Sequence, residues 1–464
     1  MIHRKIYNRE DFKNLIIEIE NTFQVNEWKV NEIHLWPIIR IKLFFYLINE
    51  VENPKIQKNE NPIRKQVKFG FLRSLKERLI FNKWLLLFPK KKIVYVGTDA
   101  HRVNYEGKRF NRFFDSLNSL KNQKNDYLYL EYLYDRKLNY HKNELVFETE
   151  NRIENFCRSR NYTLKYSFTD FDNFLNLLKQ NPVTETFAKE MSIENFKQMG
   201  YKIYYRKKFY EKILKRIKPQ ELYMLCFYGS STTYALIAAA NYLKIKTIEM
   251  QHGPQPDLHL CYTNWTNLPE NGYNVMPRNY FQWDENSVQY INSWTKNTKL
   301  YHPKKIGHPW IDFINEINVE ISHERFILYC LQPHPVQLSF LFNKNILQAI
   351  KNSKFTWYIR LHPRQLDKKN EILQILLEND LQNIVNIEDA TNLPLPSLIK
   401  KSLVCVTHSS GSVIEAEMLN KKSILIHKMG VKYFPKTVER GNAIFINADE
   451  NSFSDNFESF INQL

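Results

Sequence analysis

Glycine is scarce in this chain, with 11 among 464 residues, and the 18 prolines and 5 cysteines are thinly spread. That scarcity excludes collagen-like repeats and low-complexity linkers, and no internal repeat is visible. The cysteines (157, 226, 261, 330 and 405) show no Cys-x-x-Cys spacing and fall mostly within apolar runs. They read as buried thiols of a reducing compartment, which leaves out a disulfide framework and a zinc site. No apolar run approaches the length of a membrane-spanning helix, and the opening MIHRKIYNREDFKNLI is too charged for a signal peptide. The expected location is therefore cytoplasmic. Acidic residues are the minority charge, 49 against 66 Lys and Arg, giving a formal charge of +17. Apolar content of 43% and charged content of 25% are ordinary for a globular protein, and the length suffices for two cores.

The positive charge is unevenly placed. From Arg64 to Lys92 ten Lys or Arg face the single acid Glu77, interleaved with Phe69, Phe71, Leu72, Leu75, Leu79, Ile80, Trp84, Leu85 and Phe88. This suits a basic amphipathic helix lying peripherally on the inner face of an anionic membrane. A helix packed on the domain with a solvated basic face is the competing reading. Nucleic acid ranks last, because no recognisable nucleic-acid module accompanies the charge.

Residues 1–60 carry apolar residues at helical spacing, with Pro37 permitting a fresh helix start and Trp28 and Trp36 forming a buried pair. The first clear strand is KIVYVGT (92–98), followed by Asp99-Ala-His101-Arg102. A second run, 222–243, reads as a strand, then Gly229-Ser230-Ser231-Thr232, then an alanine-rich helix. KTIEMQHG forms another strand ending in Gln251-His252-Gly253. Alternating strands and helices predict parallel, doubly wound sheets. The stretch 100–215 resists parsing.

Three apolar runs end in His-Pro pairs: ILYCLQPHP (327–335), FTWYIRLHP (355–363) and KKIGHP (304–309). Proline stops a strand and presents the preceding histidine at its carboxyl edge, where parallel sheets bind ligands. SLVCVTHSSGSVIEAE (402–417) is a fourth strand, running through His408-Ser409-Ser410-Gly411-Ser412 into a helix. Consecutive serines make ordinary caps, yet a helix start also favours an anion. Arg360, His362, Pro363, His408, Ser409, Ser410, Gly411 and Ser412 together suit a nucleotide phosphate. Glu415 is placed for ribose hydroxyls, while Glu417, Lys432 and Arg440 read as surface residues.

EMQHGPQ, YFQWDENSVQYI, KKIGHPWID, YIRLHPRQ and THSSGSVIEAE together resemble the capsule-polysaccharide-synthesis group of GT-B glycosyltransferases, over about residues 220–445. That group includes capsular Kdo transferases, with sialyl- and polysialyltransferases and teichoic-acid polyol-phosphate polymerases as wider relatives. The resemblance implies an α/β, GT-B-like fold of two Rossmann-like domains facing a cleft, behind a helical N-terminal extension. The boundaries it suggests are 1–92, 93–300 (acceptor domain), 301–445 (nucleotide-sugar domain) and 446–464, a last helix returning to the first domain. It further implies that His362, Ser409 and Ser410 contact the phosphate of a cytidine nucleotide.

Transfer from a nucleotide sugar needs a stabilised leaving phosphate and a base. His252 is the first candidate for the base, opposite His362, which is itself a candidate general acid. Asp99 and His101 follow, with Asp257 and Glu106 weaker. No Asp-x-Asp motif sits where a metal bridge would be needed, so metal-independent catalysis without a cofactor is expected. The leading expectation is transfer of a Kdo- or sialic-acid-type sugar from a CMP-linked donor to a saccharide or lipid-linked glycan acceptor in capsule, O-antigen or lipooligosaccharide synthesis. The alternatives are polyol-phosphate transfer from a CDP-polyol, sugar-nucleotide 2-epimerisation, and a non-catalytic glycan- or membrane-binding scaffold. Epimerisation would require an acidic set in the first domain that the sequence does not display.

Overall fold

The computed structural model describes residues 6–52, 68–121, 126–133, 146–317, 319–321, 325–333 and 336–464. The chain folds as two compact units, Met1–His308 and Pro309–Leu464.

The first unit is built on a seven-stranded sheet, every pairing of which is parallel. Across the sheet the strands run His302–Lys305, Asn279–Gln282, Lys246–Met250, Glu221–Met224, Ile93–Thr98, Tyr127–Leu133 and Val146–Glu148. Numbered along the chain this is 7-6-5-4-1-2-3, so the order reverses between Ile93–Thr98 and Glu221–Met224. Parallel strands buried on both faces read as continuous apolar runs, and Ile93–Thr98 is buried at every position. The alanine-rich helix Ser231–Tyr242 starts on a Ser230–Thr233 capping box and packs against the 25-residue helix Ile193–Ile217. Gly200 of that long helix touches Val30, where an added Cβ would stand 2.5 Å from Val30 Cγ2. Any side chain at position 200 would force the two elements apart.

The N-terminal helices Arg9–Thr22 and Trp36–Glu52 belong to the core of this unit. Trp28 and Trp36 are fully buried and meet edge-to-face at 5.9 Å. A buried ion pair fastens these helices to the segment after the sheet's third-from-edge strand. Arg40 Nε lies 3.0 Å from Glu20 Oε1, both side chains fully enclosed. Arg40 also donates to the carbonyls of Leu260, Thr263 and Asn264, while Glu20 accepts from Trp36 Nε1 and from Thr266. Such a pair is tolerable in a low-dielectric interior only when its remaining polar atoms are satisfied in this way.

The second unit holds a six-stranded sheet, again wholly parallel. Its order is Val385–Asn386, Trp357–Arg360, Ile327–Cys330, Val404–Thr407, Ser423–Leu425 and Ala443–Phe445, or 3-2-1-4-5-6 along the chain. The reversal falls between Ile327–Cys330 and Val404–Thr407. Two doubly wound α/β domains are thus present, as the alternation of strands and helices predicts.

Two sequence-based boundaries need correction. Strand His302–Lys305 pairs with Asn279–Gln282, so the first domain runs to His308 and not to 300. The last helix, Phe453–Ile461, does not return to the first domain. Phe453, Phe457 and Ile461 lie in the core of the second, with Phe457 stacked on Trp357 at 5.2 Å. Its amphipathic face is complementary to the helix Lys344–Asn352 beside it. Among the described residues no helix is long and apolar enough to cross a membrane.

Candidate functional site

In an open parallel sheet, neighbouring connections leave in opposite directions at the point of reversal, and the crevice there is where ligands bind. Each unit has such a point.

In the second unit the segments at the reversal are Leu331-Gln332-Pro333 and His408-Ser409-Ser410. Gln332 joins them: its Oε1 accepts from the Ser409 N–H at 2.6 Å and from Ser409 Oγ at 3.0 Å. His408 Nδ1 lies 2.8 Å from the same hydroxyl. With that hydroxyl donating to Gln332, the ring donates to the hydroxyl, forming a short chain of bonds. The His408 ring stacks on His427 at 4.3 Å, and burial together with His427 lowers its pKa to about 4, so both neighbours sit as neutral rings. Ser410 Oγ accepts from the Ser412 N–H at 3.3 Å. Gly411, at the N-cap of the helix Ser412–Met418, has no side chain to cap it. The Ser412 hydroxyl faces Cys405 in the core at 3.6 Å, and Glu415 is buried.

The next strand over contributes His362. Its Nδ1 accepts from the Arg364 N–H at 3.1 Å, so the neutral ring carries its proton on Nε2. Gln365 ties this turn to the reversal point, accepting from the His362 N–H and donating to the Gln332 carbonyl at 2.7 Å. Pro363 is exposed and opens the short 3₁₀ turn that follows. Arg360 is differently placed from the sequence expectation. Its Nη1 donates to the carbonyls of Ala390 and Leu393 at 2.6 and 2.7 Å, bracing the neighbouring connection. Glu417 receives Arg440, Thr437 and Asn442, so Glu417 and Arg440 fasten a loop to a helix. His334 and Pro335 lie outside the described residues.

The first unit brings together a different set. His101 follows Ile93–Thr98 at the reversal, and His252 follows Lys246–Met250; their rings lie 6.1 Å apart. His308, assigned by sequence to the second domain, ends the first domain's edge strand and packs on Trp283 at 4.1 Å and Phe113 at 6.0 Å. Burial lowers His101 and His308 to about 3 and His252 to about 4, with the Arg112 charge pushing the same way. All three are neutral imidazoles at neutral pH. The Nδ1 atoms of His101 and His252 are buried and accept no hydrogen bond, which leaves each with a lone pair to offer or a proton to give.

Beside them stand carboxylates. Asp99 is clamped by Arg109 through two hydrogen bonds, 2.5 Å at Oδ2 and 3.3 Å at Oδ1. Arg109 lies on the hairpin Arg102–Tyr105/Lys108–Asn111, whose turn residues Glu106 and Gly107 have φ of 49° and 72°, the left-handed pair a two-residue hairpin demands. Glu106 is thus a turn residue. Glu131, at the end of Tyr127–Leu133 and level with Gly97, pairs with Arg102 at 3.3 Å in full burial. Burial raises its pKa to about 7 against the opposing pull of Arg102, and its Oε2 is buried with no hydrogen bond. Asp115 lies nearby, accepting from the Asn111 N–H and the Tyr129 hydroxyl. Asp257 pairs with Lys13 at 3.8 Å. Of the three carboxylates at this edge, Asp99 is a candidate from sequence, while Asp115 and Glu131 are not. Glu131 had a signal, a lone carboxylate inside the apolar run YLYLEYL; Gln332 and His427 also ended apolar runs in plain view. Among the described residues no cluster of three or more His, Cys, Asp and Glu is gathered to hold a metal.

Comparison with protein-family models gives no match, and comparison with curated proteins gives none either. Among solved structures the chain is similar to Staphylococcus aureus MnaA with UDP, at 14% identity over 80% of this chain and 88% of that one, TM-score 0.46. It is similar to the UDP-GlcNAc 2-epimerase of Neisseria meningitidis bound to UDP-GlcNAc, at 16% identity over 80% and 91%, TM-score 0.44. It is similar also to MurG of Acinetobacter baumannii, at 8% identity over 80% and 91%, TM-score 0.40. Further UDP-GlcNAc 2-epimerases recur. These likenesses concern the layout of the fold, which is GT-B-like with two Rossmann-like α/β domains.

They correct the leading expectation from sequence. The neighbours that recur are UDP-sugar 2-epimerases, and none named here is a CMP-linked Kdo or sialic-acid transferase. The resemblance to the capsule group reaches the GT-B-like layout and no further.

Proposed function

We propose that this protein is an enzyme acting on a nucleotide sugar, and that its reaction is epimerisation at C2. The C2 proton is taken as the C1–O bond to the nucleoside diphosphate breaks, giving a 1,2-unsaturated sugar; the diphosphate then re-adds at C1 while C2 receives a proton on its other face. The observation that carries the reading is the set of proton-transfer groups at the first domain's reversal point. Inverting a carbon centre by proton transfer needs one group to take a proton and another to return one on the opposite face. Glu131, with a pKa of about 7 and one oxygen without a partner, is poised to exchange a proton near neutrality. The neutral rings of His101 and His252 supply the complementary partners, while Arg102 and Arg109 hold Glu131 and Asp99 in place. Glycosyl transfer would need only a single base. In this reading the second domain's turn at Ser410-Gly411, tied through Gln332 and Gln365 to the His362 turn, receives a nucleotide's phosphate, and UDP-GlcNAc is the substrate to try first.

Incubation of the protein with UDP-GlcNAc in D₂O is the test. The expected outcome is a 2-epimeric product carrying deuterium at the inverted carbon, read by proton NMR. Glu131→Gln, checked for an intact fold by its circular-dichroism melt, should slow turnover by about two orders of magnitude or more, with little change in KM. Release of sugar to an acceptor without inversion, or inversion with no solvent deuterium, would sink the proposal.

A further inference from the structure

The helix Phe71–Leu85 has two apolar faces, and only one of them is used by the fold. On one side Phe81 is buried against Phe156 and Phe209 at 4.8 and 5.3 Å, and Trp84 packs on Phe88 and Phe209. Arg78 fastens the same side by donating to the Ser159 carbonyl at 3.2 Å. On the other side Leu72, Leu75, Leu79 and Leu86 recur at helical spacing, one stripe along the helix and its following turn. They are exposed, Leu72 by 80%, Leu79 by 63% and Leu86 by 66%, and Phe71, one turn before Leu75, by 82%. Lys76 and Lys83, both exposed, follow this stripe along one edge. From Lys68 to Lys92 eight Lys or Arg stand against Glu77 alone. The elements packed behind add Arg152 over Trp84 and Arg158 over Phe69.

Aliphatic side chains held in water on a folded surface mark a docking face. The charge around this one selects its occupant. A second copy would bring the same excess of cations against it, and like charges resist that approach. Nucleic acid would answer the charge but gains little from leucines, since bases stack on aromatic rings. A bilayer with anionic headgroups satisfies both features, taking the leucines among its acyl chains and the lysines at its phosphates. We infer that this outward face seats the protein on an anionic membrane surface, with the first domain's core behind the helix.

Co-sedimentation with vesicles of phosphatidylcholine alone, and with phosphatidylglycerol added, tests this. The protein should partition onto the anionic vesicles only, and less so as salt is raised. Lys76→Gln with Lys83→Gln should weaken partitioning by roughly twenty-five-fold, about fivefold for each cation. Leu72→Ser with Leu75→Ser and Leu79→Ser should weaken it on the order of tenfold or more with an unchanged melting profile, because these side chains are exposed in the fold. Equal binding to neutral vesicles, no binding to either, or anionic binding unaffected by the leucine changes would overturn the inference. So would a concentration-dependent dimer that the leucine changes abolish, or stronger retention on an oligonucleotide than on vesicles.

Discussion

The two domains share a strand order, yet their reversal points are built from opposite materials. At the second domain's edge Gln332, Ser409, His408 and Gln365 bond mostly to backbone groups and to one another, with no charged pair among them. At the first domain's edge two Arg–carboxylate pairs stand beside three neutral histidines. One arrangement presents a shaped and nearly neutral cradle, suited to recognition. The other stores ionisable groups out of water, which lifts Glu131 to about 7 and drives the three histidines down to about 3–4. The same topology therefore carries one edge of neutral hydrogen bonds and one of buried ionisable groups.

Acid is the strongest way to break that comparison. Burial depresses five first-domain histidines: His34 and His252 to about 4, and His101, His259 and His308 to about 3. Below pH 6.5 the unfolded chain binds protons on these rings that the folded chain refuses. Each ring's contribution to stability is thus whole above 6.5 and lost as pH falls, at about 1.4 kcal/mol per pH unit. Glu131 and Glu249, raised by burial to about 7 and 8, act with the opposite sign. They hold protons in the folded state that the unfolded state has released, so their contribution is full below 4.5 and fades as pH rises. Five rings outweigh two carboxyls between pH 6.5 and 4.5, and the first domain should lose stability steeply there. Glu249→Gln keeps an acceptor for the Tyr262 hydroxyl and removes one opposing carboxyl, so it should steepen the loss by about 1.4 kcal/mol per pH unit. Urea midpoints at a series of pH values would read this, and a slope unchanged by Glu249→Gln would count against a buried, protonated Glu249.

Much of this architecture was legible in the residues. The strand runs at 93–98, 222–224 and 404–407 are dominated by apolar residues, and Ser230, Ser409, Ser410 and Ser412 mark junctions that the structure keeps. What escaped was whatever depended on pairing at long range. Glu131 stands out as a lone carboxylate in an apolar run, but its partner Arg102 looks like an ordinary charge until the fold brings the two together in burial. Arg360 was read as a phosphate ligand because it ends a strand, but carbonyls 30 and 33 residues away claim its guanidinium. His308 was assigned to the wrong domain, since a strand's partner cannot be inferred from the strand itself. The final helix was misplaced for the same reason, its apolar face fitting either core by pattern alone.

A second break is confined to the first domain. Arg40→Met leaves Glu20 buried without its counter-charge and three carbonyls, those of Leu260, Thr263 and Asn264, without their donor. Removing one partner of such a pair costs about 3–5 kcal/mol, mostly the penalty of the stranded charge. The urea midpoint should fall accordingly, with the slope retained. Adding Glu20→Gln should recover part of the loss, because the stranded charge is gone. Hydrogen exchange should rise around residues 257–267, with strands 327–330 and 404–407 as protected as before. A loss below 1 kcal/mol would mean that this pair does not hold the N-terminal helices to the segment.

The smallest effect belongs to the second domain. Gln332→Leu is close in volume but takes away the acceptor shared by the Ser409 N–H and hydroxyl. The backbone carbonyl of residue 332 remains for Gln365, so the His362 turn keeps its tie. One amide left without a partner should cost about 1–3 kcal/mol if it stays buried, less if water reaches it. Stability alone would not separate this from any other lost hydrogen bond. Nucleotide binding would, because the turn from His408 to Ser412 is held at the reversal point by Gln332, and a looser turn presents Ser410 and Gly411 less well. UDP affinity, measured by calorimetry, should fall roughly tenfold in Gln332→Leu and by a similar factor in Ser410→Ala, with the double variant little worse than either. Full additivity would mean that the two residues act separately, and wild-type affinity in both would place the nucleotide elsewhere on the domain.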